Sequence, residues 1–413
     1  MPKIPPELCA RCKGYKRLCG LPTCPILDQF RAQIRATLRV EGRRVEGATP
    51  PGLLVGEHGY PKLSIYILVP PGVTGGQAKI YDDPEGWASR RLTLARIIGL
   101  RASSLAGRIQ ARADSPFKLY ESEIGLAALS QAPVDTETLL RKPPIPRLRF
   151  NGITKPMGPT APLERVRVES NPKPHPRVEK AVWDDAPASV IVGELYRSGV
   201  DIYTIQRAFS LGFLGRVKMR RLVPTRWSIT AVDEIVSSHL RAQLRDAPEI
   251  SGPEAYYGEY LGNKFIIALL PGPGSIEWIE VWHPRTVWTR HSRRPVIYYL
   301  YEDPLGRKTA EDGGYSAAKV AVLEALARRW RRADVVIIRE ILPSYYAPVG
   351  NWHIRETVRR ALSKEPDLRP GSLEELISWI SSQLEATPHL ILARSRLLGV
   401  GRRMTRLDEY FSL

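Results

Sequence analysis

Ala317-Ala-Lys-Val-Ala-Val-Leu-Glu-Ala-Leu-Ala-Arg-Arg-Trp-Arg-Arg332, followed two residues on by Val335-Val-Ile-Ile338, is the stretch on which the fold class turns. Its first part is rich in Ala, Leu, Glu and Arg, the strong helix formers. Its second part is a run of four β-branched apolar residues, the signature of a strand buried on both faces. Val296–Tyr301, just upstream, has the composition of another strand. Strand, helix and buried strand in that order predict a β-α-β unit with parallel pairing, and hence a mixed α/β fold.

Outward from this stretch, Lys264–Leu270 and Ile276–Trp282 read as strands. The Pro271-Gly-Pro-Gly274 between them predicts a hairpin. Ser372 and Glu375 form a capping box for a last helix, with Leu373, Leu376, Ile377, Ile380 and Leu384 inward. Ala188–Ile205 has helical periodicity with Val190, Leu195, Ile202 and Ile205 as core. Thr230 is placed to cap a helix reaching about Leu244. Lys62–Val69 is strand-like, Gln29–Arg39 a short helix, and Asp82-Asp83-Pro84-Glu85 a helix start. Residues 142–176, dense in Pro and basic side chains, are expected to be an extended connection. No internal repeat is present.

The 413 residues carry 61 Lys and Arg against 43 Asp and Glu, a net charge of +18. That excess points to an anionic partner, nucleic acid first and acidic lipid second. No apolar run is long enough to span a bilayer, and the start Met1-Pro-Lys-Ile-Pro-Pro6 has no signal-peptide core. A cytoplasmic protein is expected, without membrane partner. Scarce Asn and Gln beside many charges suggest a thermophile.

All four cysteines fall in the first 24 residues, as Cys9, Cys12, Cys19 and Cys24. The C-x2-C-x6-C-x4-C spacing supplies four thiolates from two short knuckles, which suits tetrahedral Zn2+. Arg11, Lys13, Lys16 and Arg17 favour the ionised thiols, and Gly14 and Gly20 permit tight turns. Two disulfides or four unrelated buried thiols are the alternatives. Four thiolates leave no open coordination position, so the expected role is structural.

At the other end, Met404-Thr-Arg-Leu407-Asp-Glu-Tyr410-Phe411-Ser-Leu413 follows a Gly399-Val-Gly401 hinge. Leu407, Tyr410 and Phe411 stand at i, i+3 and i+4, so one helical turn presents all three on one face. The pattern resembles the PCNA-interacting peptide, with Met404 where that peptide has Gln. A terminal turn docked on the chain's own core is the alternative.

Lys218, Arg220, Arg221 and Arg226, with the hydroxyl of Thr225, precede the expected Thr230 helix and form a candidate phosphate site. A solvated basic loop is the alternative. Arg290, Arg293 and Arg294 are interleaved with Trp282 and Trp288, which would stack on bases. No phosphate loop, dinucleotide fingerprint, zinc-protease or nucleophile-elbow motif occurs. The weak catalytic candidates are Glu340, flanking the buried strand, and His353 in Gly350-Asn-Trp-His-Ile-Arg355. A nuclease would add Mg2+ or Mn2+.

Several stretches resemble one family. They are the four-cysteine start, Gly59-Tyr-Pro-Lys-Leu-Ser64, Asn171-Pro-Lys-Pro-His-Pro-Arg-Val-Glu-Lys180 and Gly193-Glu-Leu-Tyr-Arg-Ser-Gly-Val-Asp-Ile-Tyr203. Arg221-Leu-Val-Pro-Thr-Arg-Trp-Ser-Ile-Thr230, Gly313-Gly-Tyr-Ser-Ala-Ala-Lys319 and Arg339-Glu-Ile-Leu-Pro-Ser-Tyr-Tyr-Ala-Pro-Val-Gly-Asn-Trp-His353 complete the set. Together they are similar to the archaeal Nre (NreA/NreB) DNA repair family. The resemblance implies a zinc finger over 1–30, an amino-terminal and central domain over 31–285, a carboxyl-terminal α/β domain over 286–398 and a PCNA-binding tail over 399–413. It implies DNA repair alongside the sliding clamp and carries no established reaction. The expected function is a DNA-binding repair factor recruited to PCNA. A metal-dependent nuclease or nucleotide-processing enzyme, and a scaffold that binds no DNA, are the alternatives.

Overall fold

The computed structural model describes residues 6–21, 23–148, 157–289 and 292–399. These fall into two compact units. The first holds the described residues up to His239 together with Ala347–Gly350, and the second holds Leu240–Tyr346 and the described residues from Asn351 on.

The first unit is built on a six-stranded sheet. Its strands are β1 (Arg44–Thr49), β2 (Leu53–Val55), β3 (Lys62–Val69), β4 (Leu105–Arg112), β5 (Val134–Leu140) and β6 (Thr160–Val168). Their order is β1-β5-β6-β4-β3-β2, with β4 and β6 parallel and the other neighbours antiparallel. β3 covers the expected residues, and its Leu63, Ile65 and Ile67 turn inward at period two. β6 corrects the expectation for 142–176. A strand lies inside that Pro-rich stretch, with Ala161, Leu163 and Val166 buried. Its polar alternation and Pro162 hid it, since only every second residue needs to be apolar.

The helical stretch expected over Ala188–Ile205 is two helices, Ala188–Arg197 and Ile202–Ser210. Gly199, at φ +85°, ends the first, and the Asp201 side chain caps the second by accepting from the Thr204 N–H at 2.9 Å. Val190 is exposed rather than core. The helix expected from Thr230 starts earlier and runs Thr225–Gln243. Pro224 sets its start, its carbonyl accepting from the N–H groups of Trp227 and Ser228.

The second unit has a five-stranded sheet of β7 (Glu254–Tyr260), β8 (Asn263–Leu270), β9 (Ile276–Trp282), β10 (Val296–Glu302) and β11 (Asp334–Ile341). The order is β10-β9-β11-β8-β7. β11 carries the Val335-Val-Ile-Ile338 run and is the central strand, with all four residues buried. It is parallel to β9 and antiparallel to β8. Parallel pairing is therefore present, but the partner is β9 and not β10, which lies antiparallel on the far side of β9.

The same insertion of β11 separates β8 from β9, so the expected hairpin does not form. The Pro271–Gly274 loop instead crosses the start of β11, where Asp334 accepts from the N–H groups of Gly274 and Ser275 at 2.9 and 2.7 Å. A tight hairpin forms instead at β7–β8, turned by Leu261 and Gly262 at φ +52° and +71°. Ile266, Ala268, Ile279, Val281, Val336 and Ile338 face the helices Leu373–Gln383 and Pro388–Leu392. Ser372 caps the former as expected. On the other face Trp278 meets Tyr315 of the Gly313–Arg329 helix, ring centroids 6.5 Å apart. The fold is mixed α and β. The division at 285/286 expected from sequence falls between β9 and β10, within this second sheet.

Candidate functional site

Three segments of the first unit meet where β3 begins and β4 ends. Lys62 stands opposite Arg112 in the antiparallel register. The Ala113 N–H donates to the Pro61 carbonyl, and the Ala113 carbonyl accepts from the Leu222 N–H, each at 2.8 Å. The chain from Arg221 to Pro224 is non-helical because Pro224 disfavours helix at Val223. Val223 is held by Ser210, whose Oγ donates to its carbonyl at 2.7 Å. Gly212 packs so closely that a Cβ there would sit 2.5 Å from the Arg221 carbonyl oxygen. The helix that follows is tied back to β2, since the Val55 N–H donates to Thr225 Oγ1 at 2.8 Å. Arg226 reaches Glu57 at 3.7 Å.

This framework presents aromatic and cationic groups to solvent. Tyr60 is 73% exposed, Trp227 59% and Met219 72%. Lys62, Arg112, Lys218, Arg221 and Arg226 are exposed around them. Arg112 pairs with Asp114 at 2.6 Å. The Arg221 guanidinium donates to the carbonyl oxygens of Arg220 and Lys218. Positive charge beside exposed π faces is the chemistry of a nucleic-acid-binding surface.

The expected phosphate-site residues divide here. Lys218, Arg221 and Arg226 are on this surface, and Thr225 spends its hydroxyl on Val55. Arg220 is buried, and its guanidinium donates to the carbonyl oxygens of Val182, Asp184 and Gly215 at 2.6, 2.5 and 2.7 Å. It also lies 5.4 Å from the Phe117 ring centre. Arg220 therefore binds its own loop. Burial pulls its pKa down from the ordinary arginine value, with Asp185 and Asp184 opposing. Trp227 and Tyr60 were not singled out from sequence. Both lie in the family-like stretches, but the exposure of a ring is not readable from its neighbours in the chain.

The second aromatic and basic candidate is not a stacking surface. Trp282 and Trp288 are buried against each other, ring centres 5.2 Å apart, and Trp282 Nε1 donates to Glu280 at 2.8 Å. Arg293 and Arg294 are exposed on the loop before β10, and Arg290 lies outside the described residues.

Glu340 and His353 are not brought together. Side chains alternate along β11, so Arg339 and Glu340 leave it on opposite faces. Glu340, fully buried, takes His283 Nε2 and the Ala386 N–H on Oε1 at 2.9 and 2.8 Å, and the Glu385 N–H on Oε2 at 2.9 Å. Burial alone would raise its pKa. The His283 bond and the two backbone donors outweigh that and hold it below the usual carboxylate value. His353 is in the first turn of the helix Trp352–Ala361, not in a loop, and lies 3.3 Å from Arg339 Nη2. Arg339 also donates to Glu280 at 2.6 Å and twice to Asn263 Oδ1. Burial pushes the Glu280 carboxyl up against the pull of Arg339. Both candidates are thus buried members of hydrogen-bonded clusters.

Lys319 of the Gly313–Lys319 stretch is likewise internal, 2.8 Å from Glu302, which also receives Tyr315 Oη at 2.8 Å and Arg241 at 2.5 Å. Glu277, on β9, accepts from Tyr299 Oη, Ser395 Oγ and the Arg396 N–H, fixing the segment that precedes the tail.

None of the four cysteines is in a disulfide. Cys9 and Cys12 lie on the helix Pro6–Cys12, and Cys24 is the residue before the helix Pro25–Thr37. Gly14, at φ +84°, packs on Cys24, a Cβ there falling 3.3 Å from its Sγ. Burial raises the Cys24 pKa, and the charges of Cys19 and Cys12 add to the rise against the N–H groups of Leu27 and Ile26. Among the described residues no group of three or more His, Cys, Asp or Glu side chains is arranged to hold a metal ion. Met404, Leu407, Tyr410 and Phe411 lie outside the described residues. No described helix is long and apolar enough to cross a membrane.

The chain belongs to the archaeal Nre family. The family's amino-terminal model matches residues 18–289 and its carboxyl-terminal model residues 302–410. DNA repair protein NreB of Archaeoglobus fulgidus is 34% identical over 400 residues, covering 96% of this chain and 98% of the relative. DNA repair protein NreA of the same organism is 35% identical over 91% of this chain and 94% of the relative. NreA of Haloferax volcanii is 32% identical over 85% and 86%. No solved structure matches the chain.

Proposed function

We propose that this protein is a DNA repair factor that grips the DNA backbone on the surface formed by Gly59–Lys62, Arg112–Ala113 and Arg221–Trp227. The observation that carries this reading is the convergence, in a family whose relatives are named DNA repair proteins, of exposed Lys62, Lys218, Arg221 and Arg226 around exposed aromatic rings. The net charge of +18 supports it. Phosphate contacts release counterions, so affinity should fall steeply with salt.

Two further parts belong to the proposal. Leu407, Tyr410 and Phe411, with Met404, dock on the sliding clamp PCNA. Zn2+ is held by Cys9, Cys12, Cys19 and Cys24, a reading supported by their spacing, the absence of disulfides among them and the packing of Gly14 on Cys24. Four thiolates would give the ion a closed shell, so its contribution would be to order the amino-terminal segment.

The test is DNA binding by the full chain across a salt series, with Lys218→Ala and Arg221→Ala combined. The variant should weaken single-stranded and duplex DNA alike and flatten the salt slope by about one for each phosphate it no longer neutralises. Binding that ignores salt, or a variant with unchanged affinity and slope, would refute the surface.

A further inference from the structure

We infer that Trp227 and Tyr60 are platforms for unpaired bases, so that this surface prefers single-stranded or flapped DNA to a fully paired duplex. The inference rests on the DNA-binding reading above and adds which part of the DNA is held.

Trp87, Trp278, Trp282, Trp288 and Trp352 are buried in the two cores, whereas Trp227 is 59% exposed, as are Trp183 and Trp330 at 66% and 57%; of these three, Trp227 is the one that follows the exposed Arg226 at the helix start tied to β2. A large ring kept in water beside arginines costs hydrophobic free energy unless something covers it in use.

Both rings are held on ordered backbone. Trp227 sits in the first turn of a 19-residue helix, its N–H donating to Pro224. Tyr60 precedes Pro61 in a turn closed by the Lys62 N–H on the Gly59 carbonyl at 2.8 Å. The Arg226–Glu57 ion pair ties the segments bearing the two rings together. Rings on an ordered framework stack without a large entropy loss.

Flanking cations take phosphate from either single or paired strands, but only an unpaired base offers its face to an aromatic ring. The cations therefore supply affinity, and the rings supply the preference for unpaired strand.

The experiment is fluorescence anisotropy of the full chain with a labelled oligothymidylate of about 15 nucleotides, and with a duplex of the same length. Trp227→Ala is expected to weaken the single strand about tenfold or more, and Tyr60→Ala to act in the same direction. Duplex affinity should change less than about twofold, and the salt slope should hold, since no cation is removed. Trp227→Phe, which keeps a ring, should recover most of the loss. Equal loss on both DNAs, or no loss on either, would overturn the inference while leaving the salt-dependent surface intact. A wild-type chain that binds neither DNA at low salt would sink the DNA-binding reading itself. Unchanged thermal unfolding of the variants excludes a folding defect as the cause.

Discussion

Glu340→Gln separates a structural carboxylate from a catalytic one. The Glu340 side chain is buried at β11 and accepts three donors, His283 and Ala386 on one oxygen and Glu385 on the other. Glutamine keeps the volume but has a single acceptor oxygen. Turned so that this oxygen serves His283 and Ala386, it aims its NH2 at the Glu385 N–H, donor against donor. One buried N–H is then unsatisfied, at about 1–3 kcal/mol. The two remaining bonds lose their ionic partner, which roughly halves them. Together these amount to about 3 kcal/mol, a drop of about 6–12 °C in the transition of a unit this size.

The pH dependence has a definite sign. The folded-state pKa of Glu340 lies below its unfolded value, so its stabilising contribution is complete above the ordinary carboxylate pKa. It is lost as pH falls from there through the folded value. The gap between wild type and Glu340→Gln should therefore be widest near neutrality and narrow as pH drops below about 4. Differential scanning calorimetry between pH 7 and pH 3 measures both quantities. A variant that melts within about 1 °C of wild type at pH 7 yet loses a repair activity would refute the structural reading.

Other outcomes follow from the same geometry. Arg220→Lys should destabilise the first unit by about 2–4 kcal/mol in urea unfolding, because an ammonium cannot span the three carbonyl oxygens that the guanidinium reaches. Lys218→Ala, exposed a few residues away, should be nearly neutral in the same assay. Metal analysis of the purified chain should find one zinc, and Cys12→Ser should abolish it; a wild-type chain free of metal would end the zinc proposal. Tyr410→Ala with Phe411→Ala should eliminate binding to PCNA in a pull-down with no change in melting temperature, and retained binding would reject the tail.

Composition and local pattern carried a good part of this molecule. β3 is legible because its apolar residues alternate, and the helix Leu373–Gln383 because Ser372 accepts from the Glu375 N–H in its first turn. β11 is legible as a buried strand because Val335–Ile338 offers no polar face to solvent. Such signals are local, and propensity and capping act within a few residues. The family stretches were equally legible, spanning both units.

Partners in space were not. Nothing in Val335–Ile338 says that it separates β8 from β9, because β-branched side chains pack alike against either neighbour. The apolar run specified burial, and the tertiary fold chose the strand order. The same holds for function. Arg220 and Arg221 are adjacent and chemically identical, yet one is spent on three backbone carbonyls inside the protein and the other faces water. Trp282 and Trp288 lie among arginines in sequence and are buried, while Trp227 is exposed. Charge, cysteine spacing and helix caps were determined by the sequence alone. Which rings and cations share a surface was decided only by folding, because exposure depends on what the rest of the chain brings to cover them.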